Sequence, residues 1–183
     1  DIFNLTERCV VESIELEPEG PNAILKNQVN SFLFNDSLLI FRGYEGVIKI
    51  MNRKERNICG KVAPFTQEEN YRLTYRGVLP GQFRGGLDMR LCGSTIVTNV
   101  YPKVEPTMED VLATSVHLYS GNVEHLAISY PEEMEGDLCK YGSMTYPYLT
   151  IASDRVVYNF PYSSRVYVYN TDSGITETLS IDS

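Results

Sequence analysis

Tryptophan is absent, histidine occurs only twice, and 16 lysines and arginines face 24 acidic residues. Each shortage removes a class of function. A formal net charge of -8 leaves no basic face of the kind that nucleic acids require. It also disfavours anionic membrane surfaces, and acidity of this size reads as solubility. No apolar run approaches the roughly 18 residues that cross a bilayer, so no transmembrane segment is expected, and no signal peptide is legible. The four cysteines, at positions 9, 59, 92 and 139, are nowhere closer than 33 residues. No C-x-x-C pair is therefore available for zinc or redox work. Cys9 falls at an expected turn. Cys59, Cys92 and Cys139 lie in or near strand-like runs, where small, half-buried thiols are expected. Spacing alone assigns no disulfide.

Catalytic signatures are missing too. There is no G-x-S-x-G elbow, and Ser163 and Ser164 sit in a turn with no identifiable base. The stretch Gly81-Gln82-Phe83-Arg84-Gly85-Gly86 lacks the Lys and Ser/Thr of a phosphate loop and reads as a connection. Its Arg84, with Arg76 and Arg90, could still offer forked donors to an anion. His117 and His125 fall on adjacent strands of one expected hairpin and could face each other, but only Glu124 is near. Two imidazoles are too few for zinc, so ordinary strand positions are expected. The run from Pro131 to Asp137 clusters four carboxylates. It lacks the spacing of a calcium loop and reads as solvated, as do Glu17 and Glu19. No catalytic, cofactor-binding or metal-binding residue is assigned, and no cofactor is expected.

What is present is repetition. Hydrophobic residues make up 43 % of the chain, enough for a core, and 13 Tyr and 7 Phe suit strands. Ile2 to Leu16 aligns without a gap against Tyr167 to Ile181, each an apolar strand, a polar turn and a second strand. Three further hairpins share one order of parts, with turns at Asn35-Asp36-Ser37, Cys92-Gly93-Ser94 and Ala152-Ser153-Asp154. Two of them also share an exit, Asn99-Val100-Tyr101-Pro102 against Asn159-Phe160-Pro161, where proline is expected to end the ladder. Each continues into a second hairpin: Val47–Asn52 with Ile58–Val62, Val116–Tyr119 with Val123–Ser129, and Val166–Tyr169 with Ile175–Ile181. Residues 2–16 match a second hairpin only. Asn4-Leu5-Thr6 and Asn35-Asp36-Ser37 fit the glycosylation pattern, though a polar turn explains both.

The expectation is an all-β fold, a β-propeller of four-stranded antiparallel blades. One partial domain spans residues 1–183, with a half blade at 1–17 and blades at 29–62, 86–129 and 146–181. The connecting segments 17–28, 63–85 and 130–145 are rich in Pro and Gly, and Glu19-Gly20-Pro21-Asn22 is expected to set a turn between blades. Only residues 106–114 suggest a short helix, with Thr107 as cap and Asp110 imitating a capping box. Three and a half blades leave edges open at both ends. The native chain is therefore expected to be longer, or another copy completes the ring.

Leu16-Glu17-Pro18-Glu19-Gly20-Pro21-Asn22, leading into a new blade, resembles an uncharacterised family of six-bladed, TolB-like propellers, exported or lipid-anchored proteins of gut bacteria. Tyr158-Asn159-Phe160-Pro161-Tyr162-Ser163 before Val166-Tyr167-Val168-Tyr169 carries the same resemblance. It implies six blades and a place in the periplasm or at the outer membrane, and it implies no reaction. The family's leader and lipid-bearing cysteine are absent from these residues, and the chain is about half a six-bladed member's length. The functional expectation is a non-catalytic binding module with a protein, peptide or glycan ligand. A hydrolase or lactonase-like enzyme, with carboxylates and a metal in a central channel, is the alternative. Tyr146, Tyr148, Tyr158, Tyr162, Tyr167 and Tyr169 crowd the last blade, where inter-blade packing is the expected role.

Overall fold

A strand sends successive side chains to opposite faces, so the run Leu38-Leu39-Ile40-Phe41 demands cover on both sides. The computed structural model describes residues 1–24, 29–43, 46–66, 71–72, 89–136, 138, 140 and 145–180, and it supplies that cover. Two strands open the chain as a two-stranded sheet, β1 (Ile2–Asn4) and β2 (Cys9–Glu12). A four-stranded meander follows: β3 (Val29–Phe34), β4 (Leu38–Gly43), β5 (Ile48–Asn52) and β6 (Ile58–Val62). After β7 (Tyr71–Arg72) come β8 (Met89–Cys92), β9 (Thr95–Asn99), β10 (Tyr101–Pro102), β11 (Ala113–His117) and β12 (Val123–His125). Strands β8, β9, β11 and β12 form the second four-stranded sheet, while β10 pairs with β7. The third is β13 (Tyr148–Ala152), β14 (Arg155–Asn159), β15 (Arg165–Asn170) and β16 (Thr176–Ser180). All pairings are antiparallel.

The three four-stranded sheets follow one another in chain order with a core at each of their junctions, and a further core covers the outer face of the first. Leu38 and Ile40 of β4 meet Met89, Ile96 and Val116 of the next sheet. Leu39 and Phe41, on the other face of β4, join Ile24 and Met51, with Ile14 and Leu16 against them. The third core joins Val97 and Ala113 to Leu149, Val156, Tyr158, Tyr167 and Tyr169. The first strands of neighbouring sheets approach one another, β3 with β8 and β8 with β13. Several four-stranded antiparallel sheets stacked in this way are what blades look like. Arg42, wholly buried at the end of β4, donates from Nη1 to Thr98 Oγ1 at 2.7 Å and so ties the first four-stranded sheet to the second.

One hydrogen-bond pattern recurs at four turns. Asn4, Asn52 and Asn170 each end a strand, and each side-chain oxygen accepts the N–H groups two and three residues on, at 2.8–3.1 Å. Asn does this readily because its short amide reaches its own backbone. Four residues after each anchor the backbone turns left-handed, at Arg8 (φ 54), Arg56 (φ 58) and Gly174 (φ 69). In the fourth turn His117 stands in the Asn place, with Gly121 (φ 71) in the left-handed one. In the three four-stranded sheets, the N–H after the anchor crosses to the sheet's first turn: Arg53 to Ser37 O, Leu118 to Ser94 O, Thr171 to Asp154 O, at 2.8–2.9 Å. The two hairpins of each sheet are thereby stitched together.

Glu12, on β2, receives both Arg53 and Arg56 from the turn between β5 and β6. Arg53 Nε donates to Oε2 at 2.7 Å and Arg56 Nη2 to Oε1 at 2.5 Å. The Arg53 hydrogen bonds, ahead of those from Arg56, hold this carboxyl below its ordinary range against a smaller opposing push from desolvation.

Several local expectations need correction. The ungapped alignment places Asn4 on Tyr169, whereas the turn bonds match Asn4 with Asn170, one residue on. A slip of one residue would send every strand side chain to the opposite face and move the anchor out of the turn. Residues 13–16 lie outside strand β2, and Cys9 is its first residue rather than part of a turn. The helix expected over 106–114 is a single turn. Asp110 does reach back to the Thr107 N–H at 2.7 Å, as the capping reading requires. Leu112 then accepts the Val100 N–H and Ala113 enters β11, so the ladder claims the segment. Accordingly β11 starts three residues before Val116, Leu118 and Tyr119 belong to the turn, and β12 stops at His125. Pro102 ends not the β9 ladder, which stops at Asn99, but the two-residue strand β10, where it lies opposite Tyr71. Cys92 and Ala152 close their strands, leaving two-residue loops. The Gly81–Gly86 stretch, Arg76, Arg84, Asp137 and Cys139 lie outside the described residues.

Candidate functional site

Where the second and third four-stranded sheets meet, their turns hold apart a groove of about 560 Å³. Its floor is apolar, from Val97 of β9, Leu126, Ile151 of β13 and Val156 of β14. Its rim is polar: His117 at the end of β11 and Glu124 within β12, with Ser120, Asn122 and Asp172 from the turns. The anchored turns described above place this rim, because each holds its tip by side-chain bonds to the backbone.

His117 is the most chemically suggestive residue on the rim. Ser94 Oγ lies 3.1 Å from its Nε2, and Ser120 Oγ 3.0 Å from its Nδ1. A hydroxyl beside an imidazole invites a nucleophile reading. For Ser94 the backbone excludes it. The Ser120 N–H donates to Nδ1 at 3.2 Å, so Nδ1 is the acceptor nitrogen and the proton of the neutral ring sits on Nε2. That nitrogen then donates to Ser94 Oγ and has no lone pair with which to take its proton. His117 is a turn anchor that replaces asparagine, and it keeps one amide where Asn52 and Asn170 keep two.

The two histidines do not face each other. His125 lies opposite Thr114, three residues from His117, stacks on Phe65 with centroids 5.2 Å apart and meets Thr114 Oγ1 at 3.3 Å. Among the described residues no cluster of three His, Cys, Asp or Glu side chains could hold a metal. Of the acidic run, Glu132–Met134 form one 3-10 turn. Glu133 pairs there with Arg165 at 2.8 Å while Met134 is buried. Cys9, Cys59 and Cys92 are free thiols, the first two exposed rather than half-buried. Cys92, in the groove, donates to Ser153 O at 3.2 Å. Ser163 caps its own turn through the Arg165 N–H. Gly20 (φ 94) opens a turn closed by the Ala23 N–H, and Asn22 Oδ1 accepts the Ile58 N–H at 2.9 Å.

The tyrosines divide. Tyr158, Tyr167 and Tyr169 are buried in the core between the last two sheets, Tyr158 and Tyr167 stacked at 5.1 Å. Tyr146 and Tyr162 are half-buried and Tyr148 is exposed. Burial pushes the Tyr158 hydroxyl up to about 12, offset in part by a hydrogen bond with Thr176. Burial pushes Tyr130 up further, and its hydroxyl, like that of Tyr167, has no hydrogen-bond partner among the described residues. Tyr71, outside the crowd that the sequence singles out, donates to Asp110 at 3.0 Å. Burial raises it, partly opposed by a hydrogen bond from the Val111 N–H.

Comparison with known proteins comes from folds rather than from sequence. No family model and no curated protein matches the chain. Among solved structures, the chain is similar to a member of the DUF4221 family from Bacteroides vulgatus. The TM-score is 0.63 and the identity 15%, over 99% of this chain and 50% of that one. It is also similar to the computationally designed Ika8 protein, with a TM-score of 0.50 and 9% identity over 82% of this chain and 36% of that one. The chain spans half the length of the first and about a third of the second. At these identities the likeness is one of fold. The Bacteroides neighbour belongs to a family of unknown function, and no helix among the described residues is long and apolar enough to cross a membrane.

Proposed function

We propose that this chain is part of a six-bladed propeller of a bacterial cell envelope. On this reading it is a single, partial propeller domain that serves as a non-catalytic binding module for a protein, peptide or glycan. Support for the propeller is the stack of three repeated four-stranded antiparallel sheets with a core at each of their junctions. Support for an envelope setting is the resemblance in sequence, together with a Bacteroides neighbour of like fold. The observation that carries the binding reading is the groove between the last two sheets. Its apolar floor and polar rim suit an extended ligand that offers both hydroxyl or amide groups and a nonpolar edge. The imidazole on its rim anchors its own turn by accepting the Ser120 N–H.

The test titrates the chain with neutral oligosaccharides and with polar peptides, followed by calorimetry. Asn122→Ala and Glu124→Ala, on the exposed rim, are expected to weaken binding of the active probe by about tenfold or more while the melting temperature holds. Binding indifferent to both substitutions would remove the groove from the proposal. Metal-dependent turnover of an ester or lactone would establish the hydrolase alternative in its place.

A further inference from the structure

The groove between the second and third four-stranded sheets carries charge of one sign. Among the described residues that line it are two carboxylates, Glu124 and Asp172, and no lysine or arginine. Glu124 stands on β12, the outermost strand of the second sheet. Asp172 stands on the turn between β15 and β16 of the third. Both are exposed, and neither side chain makes a hydrogen bond or ion pair with another described residue. Other polar groups of the groove are engaged locally. His117 lies between Ser94 and Ser120, Thr171 Oγ1 donates to Asp154 O at 2.8 Å, and Cys92 donates to Ser153 O. The charge left to meet a ligand is negative.

Polarity is graded across the groove wall. Directly opposite residues of an antiparallel pair share a face. Val97 of β9, Ser115 of β11 and Glu124 of β12 form one such row, and Cys92, Thr95 and His117 form the next. The first row runs from a buried valine through a half-buried serine to an exposed carboxylate. Its ends are two strand spacings apart, about 10 Å. On the third sheet Ile151 and Val156 are a cross-strand pair of β13 and β14, and Asp172 comes from the turn after β15. A ligand that touches floor and rim together must be apolar at one point and cationic within about 10 Å of it. Lysine and arginine side chains are built that way, an aliphatic stem with a charged head. A neutral sugar gains less, because no Phe, Tyr or Trp among the described lining residues offers a face to stack on. An acidic peptide meets like charge at the rim.

We propose that the groove receives a basic side chain of an extended peptide. The stem lies on Val97, Leu126, Ile151 and Val156, and the ammonium or guanidinium pairs with Glu124 and Asp172. This rests on the binding reading above and deepens it, selecting a cationic peptide over a glycan.

Calorimetry with three short capped peptides tests it. They are identical except for a central lysine, norleucine or glutamate, so that norleucine keeps the stem and drops the charge. Two exposed ion pairs support a preference for lysine over norleucine of about tenfold at low salt. That preference is expected to shrink to about threefold or less in roughly 0.5 M salt, where screening is short-ranged. Glu124→Gln with Asp172→Asn is expected to erase it and to leave norleucine binding unchanged. Glu19→Gln with Glu105→Gln removes the same charge at exposed positions outside the groove and is expected to keep it. Equal binding of the lysine and norleucine peptides, still weakened by Asn122→Ala, would overturn this inference and leave the groove standing. A lysine preference that survives the groove pair of substitutions would overturn it too, by placing cation recognition elsewhere. Failure of all three peptides to bind would overturn the inference, and with binding of a neutral oligosaccharide it would leave the groove to a glycan.

Discussion

Replacing Asn52 isolates the chemistry of the repeated turn. Its side-chain oxygen accepts the Lys54 and Glu55 N–H groups, both at 2.9 Å. A typical hydrogen bond contributes about 0.5–1.5 kcal/mol net, and water can solvate these exposed amides once the acceptor is gone. Asn52→Ala should therefore cost about 1 kcal/mol, close to the loss of a helix N-cap. For a chain of this size that lowers the melting temperature by about 2–4 °C. Asn52→Asp keeps the acceptor and adds a negative charge beside Arg53, Lys54 and Arg56, so it should stay within about 0.5 kcal/mol of the parent. The same reasoning predicts a gain at the odd turn. His117→Asn restores the second amide bond, worth about 0.5–1 kcal/mol, against loss of the 3.1 Å contact with Ser94. It should match or exceed the parent, whereas His117→Ala should lose about 1 kcal/mol. Denaturant unfolding of the four variants decides the matter. If Asn52→Asp is as damaging as Asn52→Ala, or His117→Asn as damaging as His117→Ala, the turns are not held by their anchors.

Tyr130→Phe should raise stability by about 1 kcal/mol, since it deletes a buried hydroxyl with no partner among the described residues; a lower melting temperature would show that the hydroxyl is satisfied after all. Phe160→Ala should cost about 3–5 kcal/mol in chemical unfolding, because its ring is wholly buried between Tyr130, Tyr158, Tyr162 and Tyr167; a cost under 1 kcal/mol would mean the core is not packed around it. Glu12 has a folded-state pKa below its ordinary 4.5. Its pairing with Arg53 and Arg56 is therefore fully present above the unfolded value and lost as pH falls through the folded one. Glu12→Gln should be less stable than the parent at neutral pH, with the gap closing under acid; a gap constant across that range refutes the ion pair.

What could be read from the residues was what the residues decide locally. The hairpins at Asn35-Asp36-Ser37 and Ser153-Asp154 announce themselves because Asn, Asp, Ser and Gly favour turns whatever surrounds them, and both are in place. The segment 106–114 misled for the converse reason. Thr107 and Asp110 make the local bond expected of a cap, yet Val100 and β9, distant in sequence, take Leu112 and Ala113 into a ladder. The role of His117 was available in principle, since aligning the four turns on their left-handed residues puts it in the asparagine column. An alignment one residue out of step hid it, leaving His117 as an ordinary strand position. Arg42 carried a fainter signal, a charge closing the strand Leu38 to Gly43 whose other residues are mostly apolar. The groove could not be read at all, because its rim and floor come from strands of two sheets that only packing brings together.

The stitch between paired turns has an implication for how such a chain could grow or shrink over evolutionary time. Each duplicated unit brings its own clasp, so a newly copied module would arrive with its internal geometry already settled. Only the seams with its neighbours would need fresh selection, and genetic drift could work on those one side chain at a time.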